Sequence, residues 1–79
     1  MAFFVYLLEC SDGSYYCGFT PDLEKRLKAH NSGKASKYTR AKLPVKLVFS
    51  ETLETKSLAL KREAQIKRLS RKEKEKLLK

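Results

Sequence analysis

The chain has 79 residues, enough for one domain with a thin core and no separate substrate domain. Eighteen Lys and Arg stand against nine Asp and Glu, a formal charge of +9, and self-repulsion on that scale in so small a fold points to an anionic partner. With 42% hydrophobic residues the chain is not a disordered basic tail, and its longest apolar run, Ala2 to Leu8, is far too short for a membrane helix.

That run also lacks a basic n-region and a small-residue cleavage site, so a secretory signal is not expected. Cys10 and Cys17 are too few for a disulfide framework. They read as small buried hydrophobes with free thiols, and the compartment expected is the cytosol. The charge is unevenly spread. From Lys25 through Ser50 there are eight basic residues and no acidic one; from Lys56 to Lys79 there are ten basic against three acidic. A basic helix lying on a membrane is the weaker competitor to nucleic acid, because the basic stretches carry no aromatic anchor beyond Tyr38.

In chain order, Phe3 to Cys10 and Ser14 to Phe19 are rich in aromatic and branched residues and read as two strands. Ser11-Asp12-Gly13 between them is a hairpin signal. A two-residue turn would put Tyr6 and Tyr16 on opposite faces. A three-residue loop with Gly13 left-handed pairs Cys10 with Ser14, Leu8 with Tyr16 and Tyr6 with Gly18, which places both tyrosines on one face and the two cysteines on opposite faces.

Thr20-Pro21-Asp22 predicts a helix start: a hydroxyl cap, proline at the first helical position, then an acid. This helix should run to about Asn31 and end at Ser32-Gly33. Residues 32 to 44 read as a basic loop. Val45 to Thr52 then alternates Val45, Leu47 and Phe49 against Lys46, Val48 and Ser50, a third strand. Glu54 or Thr55 opens a helix reaching about Leu69, and Ser70 with Glu73 forms a capping box for a short last helix. The expected fold is α+β, β-β-α-β-α-α, with a three-stranded antiparallel sheet.

Some polar residues sit oddly. Arg26 and His30, four apart, lie about 40° apart around the first helix, beside Leu23. Taken singly, Arg26 reads as a snorkelling side chain and His30 as a capping or core-edge residue. Glu63 falls between Ala59, Leu60 and Ile66 on its helical wheel, which is costly for a carboxylate unless it is paired with Arg62 or Lys67, or binds a metal.

Taken together they say more. Val5-Tyr6-Leu7, Tyr16-Cys17-Gly18, Arg26, His30 and Glu63, with Cys10-Ser11-Asp12-Gly13, Asn31-Ser32-Gly33-Lys34, Lys37-Tyr38-Thr39-Arg40 and Ala59-Leu60-Lys61-Arg62-Glu63, resemble the GIY-YIG nuclease superfamily over about residues 3 to 75. The likeness is greatest to its short standalone members. Val5 stands where the first motif usually has glycine and Cys17 where the second usually has isoleucine, but both tyrosines and Gly18 are kept.

The resemblance implies a magnesium-dependent endonuclease hydrolysing phosphodiester bonds in DNA by attack of water. Tyr6 and Tyr16 would be the motif tyrosines, with Tyr6 favoured to orient or deprotonate the water. Arg26 would contact the scissile phosphate, and His30 would hydrogen-bond a tyrosine or relay its proton. Glu63 would hold one Mg2+. Gly18 would let backbone or substrate approach the sheet closely. Lys34, Lys37, Tyr38, Arg40 and Lys42 would contact the nucleic-acid backbone, with affinity falling steeply as salt rises. Two other readings compete. One is a nucleic-acid-binding module that cuts poorly or only with a protein partner; the other, resting on charge alone, is a small basic RNA- or ribosome-bound protein.

Overall fold

The computed structural model describes residues 2–78. Its elements in chain order are β1 (Phe3–Glu9), β2 (Tyr15–Thr20), α1 (Leu23–Asn31), α2 (Lys37–Arg40), β3 (Lys46–Leu53), α3 (Lys56–Lys67) and α4 (Arg71–Leu77). The three strands form one antiparallel sheet in the order β2-β1-β3.

β1 lies in the centre because its sequence is apolar on both faces: Val5, Tyr6, Leu7 and Leu8 are each at most 1% exposed. Val5 and Leu7 pack with Cys17 against Ala59 and Ile66 of α3. Tyr6 and Leu8, on the other face, pack with Cys10, Val45, and Leu23 and Leu27 of α1. The sheet is therefore sandwiched, and the two cysteines lie on opposite sides of it, buried and free.

The hairpin takes the three-residue form. Gly13 has φ +84°, its N–H donates to the Cys10 carbonyl (2.9 Å), and the Cys10 N–H donates to the Ser14 carbonyl (2.8 Å). Tyr6 pairs with Gly18 and Leu8 with Tyr16, so both tyrosines share the α1 face. Asp12 braces the loop by accepting from the backbone N–H and the hydroxyl of Ser14 (3.0 and 2.6 Å). These bonds and Lys42 lower its pKa to about 2.

Three local expectations need correction. α1 is capped by Asp22, whose carboxylate accepts from the Lys25 N–H (3.1 Å), and not by Thr20. Pro21 therefore precedes the cap, and the Thr20 hydroxyl instead accepts from the Asp22 N–H (3.1 Å). Residues 32 to 44 are not all loop: Ser36 accepts from the Tyr38 N–H (3.2 Å) and starts the four-residue α2. In β3 a bulge between Leu7 and Leu8 leaves Val48 without a partner, since Leu7 pairs with Phe49 and Leu8 with Leu47. Leu47 thus joins the α1 face and Phe49 the α3 face, where simple alternation had put them together.

The later helices follow the sequence. Thr55 caps α3, and Ser70 with Glu73 forms the capping box of α4. No helix among the described residues is long and apolar enough to cross a membrane.

Candidate active site

Four side chains from three elements form one hydrogen-bonded chain on the α1 face. The Tyr6 hydroxyl lies 2.9 Å from His30 Nε2 and 3.4 Å from Arg26 Nε, and His30 Nδ1 lies 2.9 Å from the Thr39 hydroxyl. The Thr39 hydroxyl lies 3.3 Å from the Ser36 carbonyl. Arg26 and His30 are one turn apart on α1, and Thr39 is presented by α2.

The direction of each proton follows from the two ends. A carbonyl only accepts, so Thr39 gives its single hydroxyl hydrogen to Ser36. Thr39 must then accept from His30 Nδ1–H. Burial, followed by the charge of Arg26, lowers the His30 pKa and keeps the ring neutral, so Nε2 bears no proton and accepts from the Tyr6 hydroxyl. Arg26 Nε–H in turn donates to the Tyr6 oxygen. The chain is closed at each buried step, and among the described residues no buried side-chain N or O lacks a partner.

Gly18 makes room for this arrangement. A Cβ there would lie 2.6 Å from the Tyr6 hydroxyl oxygen and 2.8 Å from the ring carbon bearing it. The close approach expected at Gly18 is thus made by the Tyr6 ring itself. Burial raises the Tyr6 pKa, with Arg26 opposing, and the hydrogen bond to Tyr6 raises that of Arg26. Burial thus keeps the phenol neutral against the pull of Arg26, and the bond to the phenol favours the charged guanidinium.

Tyr16 extends the cluster outward. Its ring meets His30 edge-on with centroids 5.1 Å apart and lies 5.9 Å from the ring of Tyr38, which is 41% exposed. Lys42 Nζ stands 4.0 Å over the Tyr38 ring and also pairs with Asp12 (3.1 Å). Lys42 is thus engaged within the fold, while Lys34, Lys37 and Arg40 are exposed and in no ion pair among the described residues.

Glu63 is apart from this group. It comes from α3, across the sheet from Tyr6 and Tyr16, and its carboxylate pairs with Lys67 (3.6 Å) with 16% of the side chain exposed. Arg62, the other candidate partner, binds Glu51 instead (3.1 Å). Cys17 on β2 lies on the same side as Glu63, and its thiol reaches the Glu63 carbonyl (4.0 Å). Burial, then the Glu63 charge, pushes the Cys17 pKa up to about 11. Glu63 is bonded to none of Tyr6, Tyr16, Arg26 and His30 among the described residues. Sequence reasoning found all four of these but missed Thr39, whose only signal is its place three residues after Ser36, a spacing that reads as a helix start.

The family model described as the GIY-YIG catalytic domain matches residues 2–76. A UPF0213 protein of Streptococcus pneumoniae is 52% identical over 75 residues, covering 95% of this chain and 76% of its own. One from Halobacterium salinarum is 51% identical over 73 residues, covering 92% and 95%. The solution NMR structure of a UPF0213 protein from Bacillus halodurans superposes with a TM-score of 0.64 at 46% identity, over 99% of this chain and 83% of that one. A protein from E. faecalis, also solved by NMR, gives 0.67 at the same identity and coverage.

Two outcomes follow from the buried chain. His30 is the single histidine, the one side chain whose ordinary pKa falls between pH 7 and 5.5. Its folded pKa lies below the usual 6.5, so the unfolded chain binds the extra proton first and stability falls as pH drops below about 6.5. Urea unfolding across this range should show a loss of up to about 1.4 kcal/mol per pH unit, absent in His30→Gln. An equal slope in that variant would mean that other groups carry it. Gly18→Ala, which forces the Tyr6 ring aside, should cost about 1–3 kcal/mol in the same measurement.

Proposed function

The chain belongs to the GIY-YIG family, and on that footing we propose that it is a nuclease hydrolysing phosphodiester bonds in DNA by attack of water, aided by one magnesium ion. The observation that carries this reading is the directed chain from Arg26 through Tyr6 and His30 to Thr39. A pure binding protein gains nothing from a buried neutral imidazole aligned to receive a phenol's proton.

The chemistry follows from that alignment. Only one of the five guanidinium N–H groups of Arg26 is spent on Tyr6, through a 3.4 Å bond that is the longest in the chain and the easiest to exchange. A phosphate oxygen taking that place neutralises Arg26 and opens the Tyr6 oxygen to the attacking water. As the water's oxygen bonds to phosphorus, its proton passes to the Tyr6 oxygen while the Tyr6 proton moves to His30 Nε2. The imidazolium so formed is held through Nδ1 by Thr39. Arg26 stabilises the charge building on the phosphate oxygens, and the bond to the departing oxygen breaks in line.

The donor set for a cation is small. Among the described residues no group of three or more His, Cys, Asp or Glu could hold a metal ion. Magnesium, however, usually binds through one or two carboxylates together with phosphate oxygens and water, and Glu63 fits that mode. Its partner Lys67 is about half exposed and can swing out to solvent, leaving the carboxylate to a cation. When bound, magnesium would supply positive charge to the departing oxygen.

A second reading is favoured by that same residue. Glu63 lies on the α3 face and is paired with a lysine, as expected of a nucleic-acid-binding module that cuts only with a partner. The two readings part on plasmid, single-stranded, branched and RNA substrates, with and without magnesium. For the nuclease, Arg26→Ala should lower turnover by about a hundredfold or more with only modest loss of binding, and Glu63→Ala should abolish the magnesium response. Binding without cutting on every substrate would favour the module. Cutting that ignores a chelator would remove the metal role.

A further inference from the structure

A cleft of about 190 Å³ opens at the hairpin end of β2, lined by Ser14, Tyr15, Tyr38, Arg71 and Lys74. Two of these are tyrosines and two are cations. We infer that this cleft is a nucleotide slot, taking one unpaired base against Tyr38 and its phosphate on Arg71 and Lys74, so that the substrate carries an unpaired nucleotide beside the cutting site. This rests on the nuclease reading for the word substrate, but the slot itself rests on its own residues.

The position is set by the edge of the sheet. β2 is an outer strand, so its free side is reachable from both faces. Tyr38 arrives from the α1 face and Tyr15, which packs with the α3 face, arrives from the other. The slot adjoins the buried chain directly, because the ring of Tyr38 lies 5.9 Å from that of Tyr16 and Tyr16 touches His30. A base held there places its neighbouring phosphate along β2 toward Tyr16 and Arg26.

The chemistry suits an aromatic base in particular. Tyr38 is 41% exposed, the one aromatic ring so open among the described residues, and Lys42 stands over it at 4.0 Å. An exposed phenol ring backed by a cation is a stacking platform of the kind single strands use. Arg71 sits 5.7 Å over Tyr15 and within 3.4 Å of the Cβ position of Gly13, so α4 holds it at the cleft. Its only ion-pair partner among the described residues, Glu75 at 3.3 Å, is exposed and exchanges readily for phosphate. A paired base could not enter, because in a duplex its ring is covered by its neighbours.

The test separates base from phosphate. The chain has no tryptophan, so Tyr38→Trp places the single one in the slot. Titration in chelator, where cutting is suppressed, compares a short thymidine oligonucleotide, an abasic one of equal length and the matching duplex. The thymidine strand should quench the tryptophan and bind about tenfold more tightly than the abasic strand, the duplex giving no quench. In Tyr38→Ala, followed by anisotropy of labelled strands, the gap between thymidine and abasic should close; in Arg71→Gln/Lys74→Gln both should weaken alike. Equal binding of abasic and thymidine strands to the unaltered protein would overturn the slot. A retained base preference with no cutting on any substrate would leave the slot standing and overturn the nuclease.

Discussion

The arrangement depends on a phenol and an imidazole buried edge to face and hydrogen-bonded in the thin core of a highly charged protein. Tyr6 is 1% exposed and His30 0%, and neither position tolerates an unmet polar atom. That constraint is met by a run of single-direction hydrogen bonds ending on the Ser36 carbonyl. It explains features that look unrelated in the chain. Gly18 must lack a side chain so that the Tyr6 ring can cross it. The short α2 exists to present Thr39. Arg26 is held beside the same phenol by its Nε–H.

The sheet edge accounts for the division of labour. Because β1 is buried on both faces, the outer strand β2 is where the two sides come within reach of one ligand. Tyr16 and Gly18 point one way and Tyr15 and Cys17 the other. The thiol of Cys17, facing the Glu63 carbonyl at 4.0 Å, marks where α3 approaches that edge. A phosphodiester lying along β2 would pass between the Arg26 side and the Glu63 side.

Much of this was legible in the sequence because it rests on local rules. Ser11-Asp12-Gly13 announces the hairpin and narrows it to two loop lengths, of which the three-residue one, found here, puts Tyr6 and Tyr16 on one face. Ser70 and Glu73 announce their helix by spacing. What was not legible depends on contacts between distant segments. The bulge at Val48 breaks an alternation that is unbroken in the sequence, because β3 must fit β1. α2 has four residues, too few to show periodicity, and is worth forming because Thr39 meets His30. Asp22 takes the cap from Thr20 because its carboxylate reaches the Lys25 N–H. The partner of Glu63 was narrowed to two by position, but only packing chose Lys67, since Arg62 is drawn to Glu51 on β3.

The distribution of acids sharpens the same point. Asp22 and Glu73 are used as helix caps, and Asp12, Glu24, Glu51, Glu63 and Glu75 are each paired with a cation nearby. Little negative charge is left to neutralise the segment from Lys34 to Arg40. Its cations face solvent on the side from which Tyr38 and Tyr16 lead inward to His30. The excess of +9 is shared between this stretch and the C-terminal helices, but here three cations with no acid among them stand where the aromatic path begins. Exposed cations and aromatic rings thus adjoin at the outer end of the path to the buried imidazole.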